Sequence, residues 1–544
     1  MRFLYGLALF AYLGVSVGEV LPDSLGEDDF QQVLRNWEDP GVSQTSLWSP
    51  PLLRVAIIGA GAAGTSTAYF LRKLEKSHPL SSQSTPIKLT LYERTERIGG
   101  RARVLPLNVT VCTPDSSICA PELQHIELGA SVFAAKNHHL VNASRELNLT
   151  LEDLSKFPGK DRVGVWDGEK WRIRQTGTVG HLPGTDGWLG DAFDKAKILA
   201  RYGLFHGPLQ AAKICRDIAA RFFSIYDKLL ARDVFERVDL LVKELALWDT
   251  VSTSSLEYFR DSKGINEAFV TEFIGGITKN TYLQEIAKTS AFGGAIALYS
   301  GTNDLFHVKG GNYQIYQRMV QDEDVKLKNS VESVERVEKD GRTTFVVEGQ
   351  DHVKKMYDVV VVAAPLPASE IKFQGISVEK FPPLRYVQLY VTIIVGTFNP
   401  AYFGLDSHSD IPEGILVPSE STSQTIPTVP FFTMGKTDIS SSVSIVKFFS
   451  PKPISDSVLD DIFSTREQTH RHAWDLPGSY PYLPVRDEEW EVPVEVEAGV
   501  YYVNAMESWI STMETETVAG RNVANLIWRR WEKELERRWM RASG

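Results

Sequence analysis

The sequence predicts an α/β fold in which a parallel sheet is interleaved with an α+β part made of antiparallel sheet and helices. The first observation is the segment RVAIIGAGAAGTSTAYFLRKL from Arg54, where a short apolar strand enters a glycine-rich turn and then a helix. The second is VVVV at 359–362, a continuously apolar run typical of a strand buried on both faces. The third is a pair of alternating segments at 387–398 and 443–449, which suit an antiparallel sheet.

Composition excludes several classes of protein. Apolar residues make up 43% of the 544 residues and charged residues 23%, which excludes a mostly disordered or collagen-like chain. The formal charge is −11, whereas a general nucleic-acid binder would be basic, so we expect no nucleic-acid partner. Three cysteines are too few for a disulfide scaffold.

The N-terminus resembles a secretory signal peptide over residues 1–18. Arg2 precedes an apolar run, and Ser16 and Gly18 are small residues suited to cleavage after Gly18. The run is shorter than the roughly 20 residues that span a bilayer, although an uncleaved signal anchor is the alternative. We therefore predict the secretory pathway, with a lysosomal, vacuolar or secreted destination and no stable membrane span.

Modification sites agree with this route. Asn108, Asn142 and Asn148 each begin an N-glycosylation triplet. Cys112 and Cys119 bracket a short segment and are expected to form a local disulfide in an oxidising lumen. Cys215 lies in an apolar helical stretch and is expected to be a buried free thiol.

The glycine-rich turn predicts a dinucleotide site. Gly59 permits the tight turn, Gly61 lets the backbone approach a pyrophosphate, and Gly64 lets helix and strand pack closely, with Ala62 and Ala63 between them. The pyrophosphate is expected at the helix N-terminus, where free N–H groups point outward. Glu93 ends the second strand, Ile87–Glu93, where a carboxylate hydrogen-bonds ribose hydroxyls.

The residues after Glu93 favour FAD over NAD. The stretch Arg94 to Arg101 ends in Gly99-Gly100-Arg101 and resembles the signature of FAD-binding oxidases of the amine-oxidase-like, glutathione-reductase-type superfamily. Paired glycines let the chain pass close to the diphosphate, and Arg101 adds positive charge. Because no second intact G-x-G-x-x-G follows a strand, an oxidase using molecular oxygen is favoured.

The predicted domains are discontinuous. The Rossmann-type FAD-binding domain is expected to comprise residues 52–160, 285–375 and 497–535. The substrate-binding domain is expected to comprise 161–284 and 376–496, where helical periodicity and alternating strands are found.

Beyond the nucleotide motifs, the chain resembles the prenylcysteine oxidase (prenylcysteine lyase) family. The matching stretches are IELGASVF at 126–133, Tyr282 with Gln284, VKGGN at 308–312, and YYVNAMESW at 501–509 followed by Met513-Glu514-Thr515. The resemblance implies cofactor contacts at Gly59, Gly61, Ala62, Ala63, Gly64, Glu93, Arg94, Gly99, Gly100, Arg101, Gly129, Ala130, Ser131, Val331, Glu514 and Thr515. Val331 would meet the adenine, and Glu514 and Thr515 would begin a helix whose free N–H groups can face the flavin.

The resemblance also implies a reaction. An FAD-dependent oxidase would cleave the thioether of S-prenyl-cysteines with O2, giving an isoprenoid aldehyde, free cysteine and hydrogen peroxide. Tyr282, Phe292 and Tyr299 are the expected lining of a pocket for this small lipophilic substrate. Hydride loss needs no strong base, so no catalytic side chain is assigned; no metal is expected, and the sequence does not predict the oligomeric state.

Three other functions stay open at this stage. An oxidase of the same fold could act on another lipophilic compound in a secondary-metabolite pathway, since residues 296–299 depart from the family pattern. A non-catalytic flavin-binding lumenal protein would bind FAD without its reduction. An amine oxidase would need an aromatic cage beside the flavin.

Overall fold

The computed structural model describes residues 52–77, 87–113, 118–154, 162–175, 188–203, 206–300, 304–339, 341–420, 429–475 and 477–543. The expected signal peptide, residues 1–18, lies outside them. Among the described residues, no helix combines the length and apolar character needed to cross a bilayer.

A six-stranded sheet forms the first layer. Its spatial order is Asp324–Lys326, Ile87–Tyr92, Leu53–Ile58, Val359–Val362, Val500–Tyr502 and Glu495–Glu497. The first five strands are parallel, and the last forms an antiparallel edge. The central strands are apolar because both faces are covered, as VVVV shows with four buried side chains. The sheet is thus assembled from three distant parts of the chain.

A seven-stranded sheet forms the second layer. Its order is Phe463–Trp474, Leu389–Phe398, Ser444–Ser450, Thr433–Asp438, Gly414–Leu416, Val163–Trp166 and Trp171–Arg174. The two alternating segments predicted from the sequence pair antiparallel within it, with Val391 opposite Phe449. The expectation of an antiparallel sheet here is confirmed.

Smaller sheets complete the strands. The long hairpin pairs Arg103–Cys112 with Cys119–Gly129. The others are Phe133–Ala134 with Leu305–Val308 and Leu151–Asp153; Lys354–Tyr357, Arg342–Gly349, Val331–Lys339 and Lys372–Gln374; and Tyr386–Val387 with Tyr480–Pro481.

The described α-helices are labelled in chain order. They are α1 (Ala62–Ser77), α2 (His138–Glu146), α3 (Trp188–Tyr202), α4 (Pro208–Leu230), α5 (Val238–Glu244), α6 (Trp248–Val251), α7 (Gly275–Tyr282), α8 (Ala291–Ser300), α9 (Tyr313–Met319), α10 (Asp456–Ile462) and α11 (Met513–Ser543). Two π-helical turns, Glu257–Ser262 and Phe269–Ile274, lie between α6 and α7.

The sequence pattern predicts one strand over 325–337, a last strand over 501–505 and a helix over 515–536, and all three boundaries differ in the structure. The stretch 325–337 is not one strand, because Lys328 turns with φ 53° and the chain passes from the parallel sheet into the four-stranded one. The last parallel strand ends at Tyr502 and continues as a 3-10 turn, Val503–Ser508. Helix α11 begins at Met513, two residues earlier than the expected Thr515.

The modification sites fall on accessible surface. Asn108, Asn142 and Asn148 are all exposed, on the long hairpin, on α2 and just after α2. Cys112 and Cys119 form a disulfide that joins the two strands of the hairpin. Cys215 is a buried free thiol on α4, and its burial raises the pKa of the thiol.

Candidate cofactor and substrate site

Two adjoining cavities lie between the layers. The larger, about 680 Å³, is lined by the glycine-rich turn, Glu93 and Val331. The smaller, about 240 Å³, is lined mainly by apolar side chains. Both include Ala62, Arg101, Trp474 and Glu516 in their walls, so a long ligand can extend from one into the other.

The glycine-rich turn has the geometry that the sequence predicts. Gly59 has φ +109°, and its N–H donates to Tyr92 O at 2.8 Å. A Cβ on Gly64 would lie 2.0 Å from Gly59 O, so only glycine permits this contact. Helix α1 then begins at Ala62 on the cavity wall, as an anion-binding helix N-terminus requires.

Glu93 is buried at the end of its strand. Its Oε2 accepts a hydrogen bond from Ala60 N at 3.0 Å, and its Oε1 accepts from Thr95 N at 2.9 Å and Thr95 Oγ1 at 2.8 Å. These contacts hold the carboxylate rigidly against the turn. A carboxylate offers about four lone-pair directions, so these three hydrogen bonds leave acceptor capacity on Oε2 for a ribose hydroxyl.

The Gly99-Gly100-Arg101 segment packs directly on the glycine-rich turn. A Cβ on Gly100 would lie 3.1 Å from Gly61 Cα, and Gly100 has φ +55°. Arg97 holds the loop by donating to Gly100 O at 2.7 Å and Ala102 O at 3.0 Å. The two segments thus meet at Gly61 and Gly100, which have no side chains to obstruct a diphosphate.

The two arginines of this region differ in their surroundings. Arg101 lines both cavities, but its guanidinium forms an ion pair with Glu507 and donates to Ser479 O at 2.9 Å. Much of its charge is therefore balanced by the protein itself, which weakens the expected role as a bare positive charge for the diphosphate. Arg94 is exposed at the rim of the larger cavity and donates to Ala368 O at 3.0 Å.

Two polar residues at the cavities were missed by the sequence analysis. Both carboxylate oxygens of Glu516 are buried and have no hydrogen-bond partner within bonding geometry among the described residues. The nearby Ser511 hydroxyl donates to Glu507 at 3.3 Å, and its lowering effect on the pKa of Glu516 is smaller than the effects that raise it. Burial, followed by the nearby Glu507 charge, raises the pKa of Glu516 well above its usual range. Asn504 Oδ1, in the wall of the larger cavity, is likewise buried without a partner.

The walls therefore fit FAD. The glycine-rich turn borders one end of the larger cavity, and Glu93, which suits a ribose, lies beside it. Glu516 and Asn504 have buried polar atoms without a partner among the described residues, and a bound cofactor can supply their hydrogen bonds. In the sequence, Glu516 is recognisable only as an acidic residue in the first turn of a helix. Acidic residues are common there because they interact favourably with the helix dipole, so this position does not indicate a cofactor contact.

The turn Gly129-Ala130-Ser131 lines the smaller cavity, and its contact with a flavin stays a prediction. Ala130 has φ 53°, and Asn312 Nδ2 donates to its carbonyl at 2.8 Å. Asn312 N also donates to Glu127 Oε1 at 2.7 Å. The asparagine of the VKGGN motif thus stabilises the unusual backbone of this turn.

Two buried ionisable residues, Lys447 and Glu127, support the same turn. Lys447 Nζ donates to Glu127 O and, at 3.2 Å, to Ser131 Oγ. Burial lowers the pKa of Lys447 to about 7 and raises the pKa of Glu127 to about 8. This contact could not be predicted from the sequence, because the lysine comes from a strand 320 residues away.

Glu514 forms hydrogen bonds within the protein that were not predicted from the sequence. Its carboxylate accepts hydrogen bonds from His139 N at 2.8 Å, Leu140 N at 3.0 Å and Tyr226 Oη at 2.6 Å. Burial alone would raise the pKa of Glu514, but the His139 side chain, with Nδ1 3.3 Å from Oε1, lowers it together with Tyr226 and the His139 N–H. The carboxylate thus satisfies the N-terminus of α2, although the residue also borders the smaller cavity.

Thr515 is also occupied locally. Its Oγ1 accepts from Thr512 N at 2.7 Å, and its own N–H donates to Thr512 Oγ1 at 3.1 Å. This reciprocal pair caps the start of α11. The expectation that the Thr515 N–H is free to face a flavin is therefore wrong.

Two of the three side chains expected to line the substrate pocket, Phe292 and Tyr282, border neither cavity. Phe292 is fully buried and packs on Trp509 with ring centroids 4.7 Å apart, and Tyr282 packs edge-on against Tyr480 at 5.7 Å. Tyr299 does line the smaller cavity. The wall is formed instead by neighbours on the same helices, namely Ile277, Asn280, Thr281, Ile296 and Ala297.

Comparisons with known proteins agree with this site. The family model described as prenylcysteine lyase matches residues 190–538, and that of an NAD(P)-binding Rossmann-like domain matches residues 57–146. Farnesylcysteine lyase of Arabidopsis thaliana is 29% identical over 486 residues, covering 87% of each chain. Prenylcysteine oxidase 1 of Mus musculus is 26% identical over 505 residues, covering 88% of this chain and 90% of the mouse protein.

Solved structures share the fold. Putrescine oxidase bound to putrescine has a TM-score of 0.52 at 16% identity, with 88% of this chain and 100% of that chain covered. Cyclohexylamine oxidase from Brevibacterium oxydans gives the same TM-score and identity, with 89% and 100% covered. These likenesses show a shared fold, whereas the family model extends over more than half of the sequence. The chain belongs to the prenylcysteine lyase family.

Proposed function

We propose that this protein is an FAD-dependent oxidase that cleaves the thioether of S-prenyl-cysteines. One prenylcysteine, one O2 and one water give an isoprenoid aldehyde, free cysteine and hydrogen peroxide. The observation that carries the proposal is the small apolar cavity that adjoins the dinucleotide cavity in a chain of this family. The names of the relatives favour prenylcysteines over the other lipophilic substrates considered.

We propose that the residues expected from the sequence line the cofactor. They are Gly59, Gly61, Ala62, Ala63, Gly64, Glu93, Arg94, Gly100, Arg101, Gly129, Ala130, Ser131 and Val331, and we add Asn504 and Glu516. All but Gly64 border one or both cavities, which supports the assignment. When bound, FAD accepts hydride from the carbon next to sulfur and passes electrons on to O2.

The protein's own part is to orient the substrate and exclude water. Phe222, Phe223, Ile296, Leu389 and Phe449 give the smaller cavity walls that suit an isoprenoid chain. The carbon that loses hydride becomes a cation stabilised by sulfur and the neighbouring double bond. A dry pocket keeps water from hydrating the reactants before hydride transfer.

We further propose that the protein works in the secretory pathway. The signal-like residues 1–18, the exposed Asn108, Asn142 and Asn148, and the Cys112–Cys119 disulfide all suit an oxidising lumen. We also retain the predicted division, with the FAD-binding domain at 52–160, 285–375 and 497–535 and the substrate-binding domain at 161–284 and 376–496. The parallel strands support it, since nearly all of them fall in the first set.

Turnover under air tests the proposed function. The full chain is expressed in a secretory host and incubated with farnesylcysteine, with oxygen uptake, farnesal, cysteine and peroxide all measured. We expect one of each product per O2 consumed. Oxygen uptake with a different lipophilic thioether or amine, and none with farnesylcysteine, would contradict the substrate assignment.

A further inference from the structure

The charged groups of the smaller cavity can be accounted for one by one. Its lining contains four charged side chains, Arg101, Lys136, Glu514 and Glu516. Arg101 is paired with Glu507, and Glu514 already accepts three hydrogen bonds. Glu516 lies where the two cavities meet, and burial favours its neutral form. Lys136 remains.

Lys136 is a cation with no counter-ion among the residues that the structure describes. It is half-buried, and none of the described carboxylates forms an ion pair with it. Removing a charge from water without a partner costs free energy, so a half-buried lysine in an apolar wall is best satisfied by an anion from outside the protein.

The backbone around Lys136 is firmly held. Ala135 N donates to Asp304 O at 2.8 Å, and Asn137 Oδ1 accepts from Ala134 N at 2.7 Å. These bonds fix the base of the lysine side chain while its four-carbon stem stays adaptable. Lys136 follows Ser131 by five residues, so it belongs to the same wall as the turn expected to meet the flavin.

A row of aromatic rings lies on the same side of the smaller cavity as Lys136. Tyr299 packs on Phe223 at 5.8 Å, Phe223 on Tyr226 at 6.0 Å, and Tyr226 stacks on the exposed His138 at 4.7 Å. This row of rings leads from the apolar cavity to the surface beside Lys136. A ligand with an apolar tail and an anionic end can therefore place its anion near the lysine.

We infer that Lys136 binds the α-carboxylate of the substrate's cysteine and so selects a free amino-acid head group. The inference rests on the proposed function, because it takes a lipophilic cysteine thioether as the ligand. In such a molecule the carboxylate is separated from the reacting carbon by only the sulfur and two carbons. A cation that binds it must therefore lie in the wall of the cavity that holds the thioether, as Lys136 does.

Binding to an unreactive ligand tests this inference. S-decylcysteine has the thioether and the carboxylate but no allylic carbon, and its methyl ester lacks the charge. In the FAD-loaded protein, we expect Lys136→Met to raise the calorimetric Kd for S-decylcysteine about 10- to 100-fold, as for loss of a charge-assisted hydrogen bond. The Kd for the methyl ester should change less than about 2-fold.

Matched variants make the result specific. Lys309→Met, at an exposed lysine outside both cavities, should leave both Kd values unchanged. Lys136→Arg should retain most of the preference for the acid, and Lys136→Gln is measured in parallel in case the methionine variant fails to fold. Equal weakening of the acid and the ester by Lys136→Met, or no weakening of either, would overturn the inference.

The outcome is separable from that of the proposed function. If the wild-type protein prefers the acid through Lys136 but never oxidises farnesylcysteine, the head-group site stands and the reaction is wrong. If it oxidises farnesylcysteine and its methyl ester with equal KM, and Lys136→Met leaves both KM values unchanged, the reaction stands and the role of Lys136 is wrong.

Discussion

At the scale of single residues, the site depends on polar groups that the protein leaves for a ligand. Glu516 is the clearest case, because both of its oxygens are buried and lack a protein donor. Burial penalises the carboxylate, and the neighbouring Glu507 penalises it further. A neutral carboxylic acid can donate a hydrogen bond to the cofactor, which a carboxylate cannot do.

This state of Glu516 makes stability depend on pH. Its folded pKa lies above its unfolded value, so the folded protein keeps a proton that the unfolded chain releases above about pH 4.3. The stabilisation is complete below that pH and decreases as pH rises, by up to about 1.4 kcal/mol per unit, until the folded pKa is reached.

Glu516→Gln should remove this dependence. Glutamine has the shape of the neutral acid but does not ionise, so its thermal midpoint relative to wild type should increase steadily from pH 5 to pH 8. Thermal unfolding of the holoprotein followed by circular dichroism measures it. Glu335→Gln, on an exposed strand, is the control and should show no such trend. A constant difference between Glu516→Gln and wild type at all pH values would show that Glu516 ionises normally.

At the scale of elements, the nucleotide helix is held by a second helix from the far end of the chain. Helix α11 packs on α1 at Gly520, where an added Cβ would lie 2.8 Å from Ser66 Cβ and 2.9 Å from Ala63 O. Ser66 Oγ also lies 3.3 Å from Thr517 Oγ1 across this contact. Because Ala63 lines the larger cavity, the packing of α11 positions the helix N-terminus that meets the cofactor.

Gly520→Ala should therefore weaken both stability and FAD retention. Overpacking costs about 1–3 kcal/mol, which exceeds the roughly 1 kcal/mol that alanine gains over glycine in a helix. Thermal unfolding and the fraction of FAD retained after gel filtration measure the two effects. Gly414→Ala, whose Cβ would meet only Val163 at 3.8 Å, should be nearly neutral. Unchanged FAD retention in Gly520→Ala would mean that α11 does not position α1.

The elements also show where sequence reasoning succeeds. The turn Gly59 to Gly64 is contiguous in sequence, and Gly64 is required by its close contact with Gly59, so this part of the geometry could be predicted. The requirement for glycine at position 59 has a second cause that the motif does not contain, because an added Cβ would lie 2.7 Å from Ala363 O. Helix α8 is apolar on nearly every face, so its sequence does not indicate that Tyr299 lines the cavity while Phe292 is in the core. Glu514 was misread because its partners, His139 and Tyr226, come from two other helices.

At the scale of the whole molecule, the site exists only where distant segments meet. The wall shared by the two cavities combines Ala62 and Arg101 from the N-terminal part with Trp474 and Glu516 from the C-terminal part. The fold class and the nucleotide end followed from contiguous motifs. The substrate end could not be predicted in this way. The place of Lys136 in the cavity wall, and the lack of a described carboxylate paired with it, follow only from how the two layers pack.

The central claim is that a cofactor in the larger cavity oxidises a prenylcysteine in the smaller one. The most direct measurement is the visible spectrum of the FAD-loaded protein after farnesylcysteine is added without oxygen. We predict that the absorption of oxidised flavin bleaches in proportion to the cysteine released, and that air restores the colour with formation of peroxide. Bound flavin that stays oxidised in the presence of farnesylcysteine would contradict the account.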